Sequence, residues 1–142
     1  MVNSIKKGKS FEREIAKLLS EKTGVVWKRV PLSGAFATIN KSSDPRFCGD
    51  VFTEDPKFKD VVVECKNYKN FKINDLFNKG SNFYSWIMQC IIESNGNDWV
   101  LFVKAKNQGV YVVSTEFCNN LFSYFKCENT VFVDMFRIRK IK

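Results

Sequence analysis

The chain has 142 residues, 23 lysines and arginines against 15 acids, and no histidine. That length fits one domain with a real core over residues 1–142, and a hydrophobic share of 44% argues against disorder. The missing imidazole excludes Ser-His-Asp and Cys-His catalysis and every His-ligated metal site, while the net charge of +8 points to a polyanionic partner.

In chain order, Phe11, Ile15, Leu18 and Leu19 repeat at helical spacing, which predicts a helix from Ser4 or Ser10 to Lys22, stopped by Gly24. Val25 to Val30 reads as a strand, and Pro31 to Phe47 as a long polar loop. A hairpin follows, with Asp55-Pro56-Lys57 as its turn. Ile73 to Ser94 has helical spacing with a break near Gly80. Trp99 to Ala105 and Val110 to Ser114 form a second hairpin around Asn107-Gln108-Gly109. Thr115 to Phe125 reads as a short helix and Val131 to Ile138 as a final strand.

No apolar stretch reaches the roughly 18–20 residues needed to span a bilayer, and Met1 to Lys9 lacks the apolar core of a signal peptide. The expected location is the cytoplasm, the host's if the source is viral, with no membrane partner. Five scattered cysteines without a Cys-x-x-Cys fit reduced, mostly buried thiols there.

The chemistry concentrates in Gly49-Asp50-Val51 and Glu64-Cys65-Lys66. Side chains alternate across a strand, so Glu64 and Lys66 share one face while Val61, Val63 and Cys65 take the other. A hairpin symmetric about Lys57 sets Asp50 directly opposite Glu64, where cross-strand Cβ atoms lie roughly 4.5–5.5 Å apart. Two carboxylates at that spacing can hold one divalent cation, and a lysine beside them suits metal-assisted phosphodiester cleavage. The plainer reading is a solvated Glu–Lys pair on an exposed strand and a turn aspartate.

Glu12 shares a helix flank with Gly8, Ile15 and Leu19, beside the buried stripe; the missing side chain at Gly8 leaves room for a ligand there. The alternative is a surface glutamate paired with Lys9, one turn back. Lys28 to Ala35 offers two cations, a hydroxyl and accessible backbone at a strand end, which suits phosphate contacts or is an incidental connection. Lys6, Lys7, Lys9, Lys69, Lys72 and Lys79 can extend the same basic surface.

Together, Lys7-Gly8-Lys9-Ser10-Phe11-Glu12, Arg29 with Ser33-Gly34, Gly49-Asp50-Val51 and Glu64-Cys65-Lys66 resemble the PD-(D/E)xK nuclease superfamily, above all archaeal Holliday junction resolvases and related phage endonucleases. Phe83 to Gln89 followed by Trp99 to Val103 is similar to a helix with an aromatic pair and a glutamine in the phage relatives. The stretch from Ser33 to Asp50 is longer than in the archaeal enzymes. The resemblance implies an α/β fold, a central mixed sheet flanked by helices with a restriction-endonuclease-like αβββαβ core. It implies Mg²⁺-dependent hydrolysis of DNA, with Mn²⁺ as substitute: Glu12, Asp50, Glu64 and Lys66 catalytic, and Asp50, Glu64 and the Cys65 carbonyl on the metal. Lys9, Arg29, Ser33, Lys69 and Gln89 would meet DNA. It further implies a homodimer that resolves branched DNA in recombination. A restriction-like or single-strand nuclease, or a non-catalytic basic DNA-binding module, stays open as an alternative.

Overall fold

The computed structural model describes residues 4–31, 48–69, 72, 74–75, 78–105, 108–115, 119–133 and 136–141. Helix α1 (Ser4–Thr23) leads into strand β1 (Trp27–Arg29), followed by β2 (Val51–Thr53) and β3 (Val62–Asn67). Helix α2 (Asn82–Ser94), β4 (Trp99–Ala105), β5 (Gly109–Thr115), a single helical turn α3 (Asn119–Phe122), β6 (Cys127–Val133) and β7 (Phe136–Ile141) complete the order. The strands form a mixed seven-stranded sheet in the order β1-β2-β3-β4-β5-β7-β6. Among the described residues only the β3–β4 pairing is parallel, and α2 is the crossover that parallel neighbours require. Among the described residues, no helix is long and apolar enough to cross a membrane.

Alternation along the strands divides the core into two layers. Phe11, Ile15 and Leu19 of α1 pack with Val51, Val63, Cys65, Val100 and Phe102 on one face of the sheet, where α3 adds Leu121 and Phe122. Phe83, Ile87 and Cys90 of α2 cover Val62, Leu101, Val103, Val113 and Ile138 on the other. Val63 and Cys65 therefore face α1, which turns Glu64 and Lys66 toward the α2 side.

The first hairpin has the register expected from its symmetry about Lys57. Val51 pairs with Val63, the Asp50 N–H just before it also donates to the Val63 carbonyl, and the Asp50 carboxyl meets that of Glu64. Asp55 organises the turn: its Oδ1 accepts from the N–H of Lys57 at 2.9 Å, and its carbonyl accepts from Phe58 and Lys59. Phe58 then inserts into the α1 core.

Three expectations need correction. The helix expected over Ile73 to Ser94 with a break near Gly80 keeps its second part as Asn82–Ser94, where Ser81 holds an extended N-cap conformation and accepts from the N–H of Tyr84, while Ile73 lies outside the described residues. Before it, Asn78 closes a turn with Gly80 and Ser81, Asn74–Asp75 form one 3₁₀ turn, and Leu76 and Phe77 lie outside the described residues. Of the helix expected from Thr115 to Phe125, the described helical part is Asn119–Phe122; Thr115 instead pairs with Phe136 as the end of β5, and residues 116–118 lie outside the described residues. The final strand is two strands: β7 sits inside the sheet, with Ile138 opposite Val113, and β6 forms the edge. No glycine or proline separates them, and Asp134 is the single turn-forming residue that the sequence offers there.

Gly49 is buried where a Cβ would lie 2.9 Å from the Val63 nitrogen and 3.0 Å from its carbonyl carbon, whereas a Cβ at Gly8 meets nothing within 4 Å. Gly49→Ala should cost about 1–3 kcal/mol by forcing two backbones apart, and Gly8→Ala should gain about 0.5–1 kcal/mol through helix propensity. Urea unfolding of the two variants checks this. Equal stability of both would mean that β2 and β3 can separate freely at the acids.

Candidate functional site

Asp50 is held from three directions. Its N–H donates to the Val63 carbonyl at 2.7 Å, and its own carbonyl accepts from Val30 at 2.9 Å. Its Oδ2 accepts from the N–H of Cys65 at 2.9 Å. A residue's N–H and C=O point to the same edge of a strand, so the Cys65 carbonyl also turns toward the Asp50 side. Asp50 thus bridges the end of β1, the start of β2 and the middle of β3.

Glu64, 4% exposed, meets it from β3. Burial lifts its carboxyl well above the usual carboxylate range, and the neighbouring carboxylates of Asp50 and Glu93 lift it further. Asp50 is raised too, chiefly by burial, against its hydrogen bonds with Glu64 and the Cys65 N–H and against the charge of Lys66. Two carboxylate oxygens repel unless a proton or a cation lies between them, so burial and the acids around it favour the protonated form of Glu64 when no cation is bound.

Lys66 lies two residues beyond Glu64 on the same face, half-buried, and its charge reaches Asp50. Glu12 enters from the α1 side. Its Oε2 pairs with Arg29 Nε at 2.8 Å, rather than with Lys9 one turn back, which acts on it only through charge. Burial raises Glu12, and the Asp50 carboxylate adds to that, so the two acids sense one another across the sheet edge. Lys9 and Lys69 are exposed; Arg29 is partly buried by its ion pair. Ser33 lies outside the described residues.

From α2, Gln89 Nε2 donates to Glu93 Oε1 at 3.0 Å, while Glu93 Oε2 is buried with no hydrogen-bond donor in place among the described residues, and the Glu93 carboxyl meets that of Glu64. Glu93 is the residue that sequence reasoning missed. The signal was present: it follows Gln89 by four positions and so must share the face assigned to Gln89. Buried Cys65 and Cys90 are raised first by burial and then by the acids around them, which keeps both as inert thiols.

The donor set is oxygen only: carboxylates, a turned backbone carbonyl, and one carboxylate oxygen left without a donor. That chemistry fits a hard divalent cation. Among the described residues, however, no three His, Cys, Asp or Glu side chains converge as a ready-made cage, so waters or phosphate oxygens would have to complete the shell.

A mixed sheet flanked by helices, with Asp50 just before β2 and Glu64 and Lys66 on β3, is consistent with a PD-(D/E)xK nuclease core. The family model described as "Phage putative PDDEXK endonuclease" matches residues 3–142, and the chain belongs to that endonuclease family, hydrolases that typically use a divalent metal. It is also similar to Protein D14 of Escherichia phage T5, 33% identical over 114 residues that cover 75% of this chain and 68% of D14. No solved structure matches at a significant level. In this chain glycine, not proline, precedes the first acid, and the approach of Gly49 to Val63 leaves no room for either a Cβ or a proline ring.

The raised carboxyls set the sign of a pH effect. Below the ordinary glutamate value, folded and unfolded chains both hold the Glu64 proton; as pH rises the unfolded chain releases it first, so stability falls toward neutral pH. Glu64→Gln removes that cost. In EDTA at neutral pH its Tm should exceed wild type by roughly 3–6 °C, with no difference in acid. Added Mg²⁺ should raise the Tm of wild type and leave Glu64→Gln unmoved. Thermal scans at both pH values check this, and a wild type that grows more stable from acid to neutral pH in EDTA would contradict the buried repulsion.

Proposed function

We propose that this chain is a divalent-metal-dependent endodeoxyribonuclease, one domain over residues 1–142, that prefers branched DNA and works as a homodimer. The observation that carries the reading is the meeting of the Asp50 and Glu64 carboxyls, with Lys66 two residues on along the same face of β3. Asp50, Glu64 and the Cys65 carbonyl would hold Mg²⁺ or Mn²⁺. When bound, the cation supplies Lewis acidity and counter-charge at the phosphate.

The protein's own groups do the rest. Asp50, fixed by three hydrogen bonds, gives the site its geometry without reorganisation. Lys66 lies where its ammonium can orient the attacking water and offset charge developing on the phosphate oxygens. Glu12, steadied by Arg29, faces Asp50 from the α1 side and orients water there. Glu93 backs Glu64 from α2, with Gln89 fixing its rotamer. Lys9, Arg29 and Lys69 would contact phosphates, as would Ser33, which lies outside the described residues, and the net charge of +8 supports a polyanionic substrate.

The preference for branched DNA and the dimer rest on symmetry. Resolving a junction takes two cuts on opposed strands, which a two-fold dimer supplies. Ile92, 72% exposed, with Met88 and Ile91 gives α2 an apolar outer face suited to a second copy.

A cleavage panel of four-way junction, flap, linear duplex and single strand with Mg²⁺ tests the reading, run beside light scattering. The expected result is a dimer that cuts junctions before duplex. Asp50→Ala and Glu64→Ala should each lose more than about 90% of the rate, a barrier increase above roughly 1.4 kcal/mol, while retaining DNA binding. Lys66→Ala should lose turnover and not be rescued by excess metal. A monomer that cuts duplex as readily as junction would defeat the branched preference and leave the nuclease standing; no cleavage of any substrate would defeat both.

A further inference from the structure

The face of β3 that carries Glu64 and Lys66 does not end at the lysine. The N–H of Tyr68 donates to the Lys104 carbonyl at 2.9 Å, so strand geometry runs on past Asn67. Tyr68 thus follows Glu64 and Lys66 on the α2 side, roughly 13 Å beyond Glu64 by strand rise. On α2, Asn82, Trp86, Gln89 and Glu93 repeat at helical spacing and form one stripe. As the crossover, α2 runs back against β3, so the two rows match end for end: Glu93 stands by Glu64, while Trp86 and Asn82 stand by Tyr68.

At that far end lies a recess of about 260 Å³, smaller than the roughly 300–1,000 Å³ of drug-sized sites and the room of one planar ring system. Tyr68 and Trp86 form its aromatic wall, ring centroids 5.3 Å apart and nearly perpendicular. Asn82 Nδ2 donates to the Tyr68 hydroxyl at 3.1 Å. Tyr68 is 37% exposed and yet held by both contacts, a preorganised ring with a face left to solvent. Asp75 supplies an acceptor to the lining, and Gly80 leaves the rim open. Exposed Lys69 and Lys79 adjoin the lining residues Tyr68 and Gly80 in the chain.

An aromatic corner with an acceptor on its wall, at the end of a row that begins with the acids, suits a nucleobase that has left its stack and lies on one exposed ring. We propose that the Tyr68–Trp86 recess receives one unpaired base of the DNA strand, a few nucleotides from the phosphate at Asp50 and Glu64. The inference rests on the nuclease reading for DNA as the ligand. Base pairing would deny the corner to duplex, so the recess selects DNA with unpaired nucleotides next to the cut.

Binding measured in EDTA separates this from catalysis. A short single-stranded oligonucleotide carrying 2-aminopurine at successive positions is titrated with the full chain, beside a fully paired duplex of the same sequence. Fluorescence should be quenched at one or two adjacent positions. Tyr68→Leu should abolish that quenching and weaken single-strand binding by about ten-fold, the loss of one stacked base, while duplex affinity changes by less than about two-fold. Tyr68→Phe keeps the ring and should keep the quenching. No position-specific quenching, equal weakening on both DNAs, or unchanged single-strand affinity in Tyr68→Leu each overturns the proposal. Failure to cleave any DNA would strike the nuclease reading and leave this binding result readable.

Discussion

The N–H of Asp50 lies 2.7 Å from the Val63 carbonyl, and the residue before it has no room for a side chain against that same valine. This close approach of two strands sets the spacing of the acids. It brings the Asp50 carboxylate within reach of the Cys65 N–H and of Glu64. Moving the backbone at Gly49 by a few tenths of an ångström would disturb all of these contacts together, because one residue carries them. The acids are therefore positioned by main-chain geometry, and their side chains have little freedom left to relieve their mutual charge.

That arrangement costs stability and prepares chemistry. Glu64 is buried against two other carboxylates, with burial as the largest cause of its raised proton affinity. A site of this kind is relaxed by a positive charge: Lys66 acts on Asp50 through space, and Arg29 is paired with Glu12. The thiols next to it stay protonated for the same electrostatic reason, so Cys65 contributes backbone and not sulfur.

Much of this was legible in the chain. The register of the first hairpin follows from counting outward from Lys57, since both acids lie seven positions away, and Val51 pairing with Val63 bears that out. The two faces of β3 follow from alternation, with Val63 and Cys65 in the α1 layer. What stayed hidden depends on contacts distant in sequence. Glu93 reads as an ordinary helix acid until α2 is laid against β3. The division of the C-terminal segment into β6 and β7 rests on pairing with β5, more than twenty residues earlier, and Asp134 is the single local turn residue there. The start of α2 is a local matter: Ser81 is a good N-cap, and the break expected near Gly80 falls beside it.

The central claim is that Asp50 and Glu64 form a single cation site. Diffraction from crystals soaked in Mn²⁺ tests it most directly, through the anomalous signal of the ion. The account predicts one strong peak about 2.1 Å from oxygens of both Asp50 and Glu64, next to the Cys65 carbonyl. A peak bound elsewhere, with the Asp50–Glu64 pair empty at saturating Mn²⁺ and neutral pH, would contradict it.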